Sequence, residues 1–256
     1  MNVKLIAHTQ LSDDFIVRII ECGDDVRDVF TQNYRDGQAV ALTAIRTCYS
    51  ANKPSELVAK EGAKYFGNPA SDGEGGTDAD RLFRHIVRSK HLSTLEHLTF
   101  TFAIEGVSRA LLAQLTRHRV GFSFSVQSQR YVRFGSGDKS GGFDYVVPES
   151  ISKWRENSTG QSVTMNHAYD RFMESAQQMY DTLRAAGVPA EDARAVLPNA
   201  AATNLVMTAN LRALLDFYAK RKPGNGAQSE IAALAERLKD EVVEVEPWTE
   251  QFFDGV

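Results

Sequence analysis

The stretch TRHRVGFSFSVQSQRYVRF, Thr116 to Phe134, carries four arginines, Arg117, Arg119, Arg130 and Arg133, among alternating aromatic and hydroxyl side chains. Arginine offers a rigid fork of donors that matches phosphate and carboxylate, and a planar face that stacks on rings. Ser123, Ser125 and Ser128 extend the row of donors along the same segment. Three basic residues in a row, Arg117–His118–Arg119, also suit a helix C-terminus, where cations complement the dipole. Donors converging from a helix end and from an adjoining extended segment would suit a nucleotide phosphate.

The rest of the composition narrows the partner. The chain has 256 residues and a formal net charge of −4, with 43% hydrophobic and 24% charged residues. An acidic protein lacks the basic footprint of general nucleic-acid binding, so the arginines point to a small anionic ligand. The two cysteines, Cys22 and Cys48, form no CxxC and no disulfide framework. Cys48 lies away from any basic cluster and reads as structural. His85, His91 and His97 recur every six residues, which is not a metal-ligand spacing, so no metal is expected. No phosphate-binding glycine fingerprint, Walker loop or GxSxG elbow occurs. With no signal peptide and no apolar run of about 20 residues, a cytoplasmic protein without a membrane partner is expected.

These residues need elements to place them. VKLIAH reads as a first strand and AVALTAIRTCYS, Ala39–Ser50, as a buried helix. Asn68–Asp78 is rich in Gly and Asp and reads as a mobile loop, followed by a helix over Ala79–Lys90. Ser93 and Glu96 match a capping box. LTFTFAIEG alternates, with Leu98, Phe100, Phe102 and Ile104 on one face, a half-buried strand that Gly106 should end. Ser108–Arg117 reads as a helix, and VGFSFSVQSQRYV as extended. A long helix over Thr164–Ala186, a short one from Ala190, a strand TNLVMTA, a helix capped by Asn210 and a last helix over Gln228–Val243 complete the reading. Arg212, Asp216 and Lys220, at i, i+4 and i+8, predict a salt ladder, while Arg221 falls partly toward the buried side of its helix. With no internal repeat and no clear interdomain linker, one α+β domain over 1–256 is expected.

RHR, eight residues, then SQRY resembles the signature of the flavin-dependent thymidylate synthases. HLSTLEH before an FTF strand, then ARAVLPN and ANLRALLDF downstream, resemble further blocks of that family in the same order, as do RTCYS and PWTEQFF. The resemblance implies reductive methylation of dUMP to dTMP, with 5,10-methylenetetrahydrofolate as carbon donor, FAD as redox carrier and NADPH as reductant. It implies a homotetramer with active sites shared between subunits, and a single compact domain of mixed, largely antiparallel sheet packed with helices that is not a Rossmann sheet. By the family pattern Gln114, Arg117, Ser128, Arg130, Arg194 and Arg221 contact dUMP. Ser93, Arg117, His118, Arg119, Asn210, Arg212 and Asp216 line FAD, although Asp216 is often Asn in relatives. Arg221 matches the arginine that favours ionisation of the uracil ring and is the catalytic candidate. No general base is evident beside Ser128, so a positioning role is favoured over a nucleophilic one. Relatives often carry Glu or Gln two residues before this serine; here that position is Val126, with Gln127 next to it. A nucleic-acid-binding module and a flavin-binding relative without full synthase activity are the competing readings.

Overall fold

Strand β2, Thr99–Ser108, is the centre of the architecture. Its alternating Phe100, Phe102 and Ile104 are buried, as the period-two pattern predicts. The computed structural model describes residues 1–22, 34–152 and 165–253. Within them β1 (Asn2–His8), β3 (Phe122–Val126) and β4 (Ala202–Asn210) join β2 in a four-stranded sheet of order β1-β2-β4-β3. Every pairing is antiparallel, Phe102 opposite Met207 and Phe124 opposite Met207 on its other side. The fold is therefore α+β, with an antiparallel sheet where a mixed one was allowed for.

One face of the sheet packs against helices. The described helices of ten or more residues are α1 (Asp13–Cys22), α2 (Asp36–Thr47), α3 (Leu57–Gly67), α4 (Asp78–Arg88), α6 (Met165–Ala185), α7 (Leu211–Arg221) and α8 (Ser229–Val245). A seven-residue helix, α5 (Arg109–Leu115), follows β2. Leu42, Ile45, Phe83, Leu111, Leu115, Leu214, Phe217 and Leu234 join the inward strand residues in the main core. A smaller cluster of Phe134, Tyr180 and Ala193 seats α6 against the chain before Pro198. The opposite sheet face carries Ser123, Ser125, Asn204 and Val206, all exposed. No described helix is long and apolar enough to cross a membrane.

Three local expectations need correction. Gly106 does not end β2. It sits at φ +66° in a bulge between Ile104 and Val107, and Asn204 Oδ1 accepts its N–H at 3.0 Å. A left-handed φ comes without steric cost only at glycine, so the strand turns there and continues to Ser108. Ser108 then caps α5 by accepting the Leu111 N–H at 3.0 Å, and Glu230 of α8 accepts the Ser108 N–H at 2.7 Å. The capping box is not at Ser93, because Leu92–His97 forms a 3₁₀ turn in which Ser93 is exposed. The box lies at the start of α4, where Thr77 and Asp80 satisfy each other's backbone N–H groups. Nor is Asn68–Asp78 a loose loop: Asp72 binds the buried Arg84 at 2.8 Å, Glu74 binds Arg88, and Pro69 bridges Thr77.

The other elements fall close to their predicted places. The first strand, the helix after Arg35 and the α4, α6, α7 and α8 helices agree to within a few residues. Thr164, the expected start of α6, and the side chain of Cys22 lie outside the described residues. Of the extended segment read after Val120, only Phe122–Val126 is strand; from Gln127 onward the chain turns, and Val132 N–H returns to the Ser128 carbonyl at 2.9 Å.

Candidate active site

The predicted site residues form two groups and one further pair. The first surrounds Glu191, in the short helix Ala190–Ala193. Arg130 Nε reaches the Glu191 carboxylate at 2.9 Å, and Arg194 Nε donates to the Glu191 carbonyl at 2.9 Å. Ser128 Oγ accepts the Arg130 N–H at 3.2 Å and so sets the turn that presents this arginine. The structure adds a residue that sequence reasoning missed, Arg109 at the start of α5. The backbone N–H groups of Arg109 and Ala110 bind the carbonyls of Ala201 and Asn199, each at 3.0 Å, which brings α5 against the chain that follows Arg194. Arg109 Nη1 is buried with no hydrogen-bond partner among the described residues. Burial, and then the neighbouring Arg194 charge, push this guanidinium below its ordinary value. Orphaned buried donors are costly, and a donor beside a second arginine is satisfied best by an anion. One turn of helix beyond, Gln114 is half-buried with only long contacts, at 3.5 Å, to Ala110 and Gln228. The signal that could have found Arg109 was its place one residue after a helix-capping serine, which fixes it at a helix start.

The second group lines a cleft of about 350 Å³ at the N-terminus of α7. Leu92, Val120 and Leu215 give it apolar walls; Glu96, Asn210, Arg212 and Asp216 give it polar ones. Asn210 caps α7 by accepting the Ala213 N–H at 2.9 Å, as predicted. The salt ladder on α7 forms only in part. Asp216 binds Lys220 at 2.7 Å, but Arg212 turns away to Glu96, because the 3₁₀ turn brings a carboxylate to the helix start. Gly121 lets β3 approach. Its φ is +74°, and an added Cβ would lie 2.7 Å from both Ala213 Cβ and Asn210 Nδ2.

His118 and Arg221 form the pair. Arg221 Nε donates to His118 Nε2 at 3.2 Å. The His118 ring meets Phe217 edge-on at 4.9 Å and lies 6.0 Å from Phe122. Burial, then the Arg221 and Lys220 charges, push the imidazole below its ordinary value, against a smaller pull from Asp216. Arg117, Arg119 and Ser93 are exposed, and their side chains make no ion pair or hydrogen bond among the described residues. Val126 ends β3, while Gln127 accepts from Asn204 Nδ2 at 3.2 Å, so Gln127 is engaged with β4. Cys48, read as structural for want of a basic cluster, is exposed at the end of α2.

This geometry can now be set beside known proteins. A family model described as thymidylate synthase complementing protein matches residues 30–248. The chain is 40% identical over 204 residues to a flavin-dependent thymidylate synthase of Geobacter sulfurreducens, covering 80% of this chain and 76% of that one. The chain belongs to the flavin-dependent thymidylate synthase family. It is also 35% identical over 215 residues to the flavin-dependent thymidylate synthase of Clostridium tetani, covering 78% of this chain and 81% of that one. Its fold is similar to that of the UMP/dUMP methylase PolB of Streptomyces cacaoi solved with 5-Br dUMP, with a TM-score of 0.68 at 22% identity over 99% of this chain and 94% of that one. Family membership makes a flavin the cofactor, and the resemblance first read in RHR and SQRY extends over most of the chain.

Proposed function

We propose that the whole chain works as one catalytic unit that methylates C5 of dUMP to give dTMP, with 5,10-methylenetetrahydrofolate as carbon donor and NADPH as reductant. The observation that carries this reading is the buried Nη1 of Arg109, which has no hydrogen-bond partner among the described residues, beside Arg194, a slot for the phosphate of a nucleotide. Ser128 shapes the turn that presents Arg130, and Gln114 of α5 and Arg117 just after it would contact the nucleotide. Arg221 stands deeper, where its charge stabilises negative charge developing on the uracil ring. C5 of uracil is a weak nucleophile, and a fixed cation in a poorly solvated place raises its reactivity without a covalent thiolate adduct.

FAD would be held by the cleft at the start of α7, with Arg212 and the capped helix N-terminus toward its phosphates and Leu92, Val120 and Leu215 as apolar floor. Ser93, Arg117, His118, Arg119, Asn210 and Asp216 complete the proposed flavin set. When bound, the flavin supplies the two-electron chemistry of the methyl transfer. The chain's own residues hold the nucleotide, orient its ring and stabilise charge.

The decisive experiment incubates the flavin-loaded protein with 5-tritiated dUMP, methylenetetrahydrofolate and NADPH. Tritium release coupled to dTMP formation is expected. Flavin loading and nucleotide binding without dTMP would favour the relative that lacks full synthase activity.

A homotetramer with sites shared between subunits fits the same geometry. The cleft of about 350 Å³ lies at the low end for small-molecule sites, room for part of a dinucleotide. Val120, one of its lining residues, is 90% exposed, and Arg117 and Arg119 just before it in the chain are exposed too, so a second subunit would close over the remainder. Light scattering at micromolar protein is expected to give four times the chain mass, and a monomer mass would contradict the shared site.

A further inference from the structure

Arg221 Nε–H donates to His118 Nε2, and a guanidinium has no acceptor to offer in return. The bond therefore requires the imidazole to keep its proton on Nδ1 and leave Nε2 bare. Phe217, edge-on at 4.9 Å, and Phe122, at 6.0 Å, fix the ring from two elements, α7 and β3. With Nε engaged, the plane of the Arg221 fork is set. Its two terminal nitrogens have no hydrogen-bond partner among the described residues.

We propose that His118 is a positioning residue, a neutral imidazole that aims the Arg221 fork at the uracil ring. This rests on the reading of Arg221 given above. It assigns His118 a task in addition to any contact with flavin: holding another side chain's plane. A protonated ring would set N–H against N–H and place a second cation beside the first, so the fork would lose its support. The surroundings oppose that protonation. Arg221 and Lys220 face the ring from α7, and Arg117 and Arg119 flank it in the chain. Phe217 and Phe122 pack against the half-buried ring, and Asp216 pulls the other way. The imidazole is pushed below its ordinary value by that balance, so the aim holds at neutral pH and fails on the acid side of the histidine range.

Two variants separate aim from packing. His118→Phe keeps a ring against Phe217 and Phe122 but removes the acceptor. His118→Gln brings an acceptor to roughly the place of Nε2. The phenylalanine variant is expected to lose about 10- to 100-fold in kcat, the scale of a misplaced catalytic group, with KM for dUMP little changed, and glutamine is expected to recover most of it. Wild-type kcat should fall on the acid side as His118 protonates, and that limb should vanish in the glutamine variant. Nitrogen NMR of the purified holoenzyme reads the same pairing without turnover: Nδ1 protonated and Nε2 bare at neutral pH, with the preference relaxed in Arg221→Ala. A phenylalanine variant with wild-type kcat, or a His118 protonated on Nε2 at neutral pH, overturns the proposal. A wild type that forms no dTMP while His118 shows the bare Nε2 overturns the reaction and the aim at uracil, and leaves the pairing.

Discussion

Arg221→Ala is expected to slow dTMP formation at saturating dUMP by about a hundredfold or more, the usual cost of removing one preorganised electrostatic donor. Flavin content should be retained, because Arg221 lies at the far end of α7 from the cleft that Asn210 and Arg212 line. The charge acts mainly on the transition state, so kcat should fall more than dUMP binding. Arg221→Lys keeps the charge but loses the Nε donor that meets His118, and should rescue only partly. If Arg221 served merely to end a helix, the alanine variant would lose at most about 1 kcal/mol of stability and keep its turnover. Steady-state rates at saturating dUMP, with the flavin absorbance of the same samples, distinguish the two outcomes.

Arg109→Met should separate binding from folding. A hydrogen bond to a charged group is worth about 1.5–3 kcal/mol, so losing the phosphate contact should lower kcat/KM for dUMP by about ten- to a hundredfold. Stability without nucleotide should move the other way or stay level. The guanidinium is depressed by burial and by Arg194 and its Nη1 is unpaired, so an apolar chain of similar length removes a charge that the fold does not satisfy. A fall in Tm without nucleotide would mark Arg109 as a structural residue; a rise or no change, with weaker dUMP binding, marks it as a ligand residue. Thermal melts with and without dUMP, beside the kinetics, give both answers.

The elements were legible where one period ran long enough. Leu98, Phe100, Phe102 and Ile104 declared a strand, and Leu211, Leu214, Leu215 and Tyr218 a helix, because burial on one face leaves a mark on every second or every third and fourth residue. Asn210 declared its cap for a similar reason: its amide serves a local backbone group. What the sequence hid was decided by distant partners. Gly106 looked like a stop because a glycine inside a strand usually weakens it; Asn204, on the neighbouring strand, turns it into a bulge. Arg212 looked bound to its own helix, and Glu96, far away in the chain, took it. Asn68–Asp78 looked mobile by composition, and Arg84 holds it. The site followed the same rule. Ser128, Arg130 and Arg194 became candidates from blocks of sequence, whereas Arg109 became one only when α5 docked against Asn199 and Ala201. The pairing of His118 with Arg221 joins a turn before β3 to the last residue of α7, and no spacing along the chain announces it.

Glu191 gives the anion slot a resident competitor. Its carboxylate holds Arg130, and both side chains are about half exposed, at 47% and 53%. An ion pair so placed is worth little and yields easily. A phosphate arriving there trades one counter-ion for another instead of meeting a bare cation, so Arg130 contributes only the difference between the two pairings. That difference favours a dianion, which can reward several guanidinium forks at once. It gives an uncharged nucleoside nothing with which to displace the carboxylate. In the proposed slot, discrimination therefore rests on charge: a dianion can exchange for the Glu191 carboxylate on Arg130, while an uncharged uracil nucleoside leaves that weak pair in place.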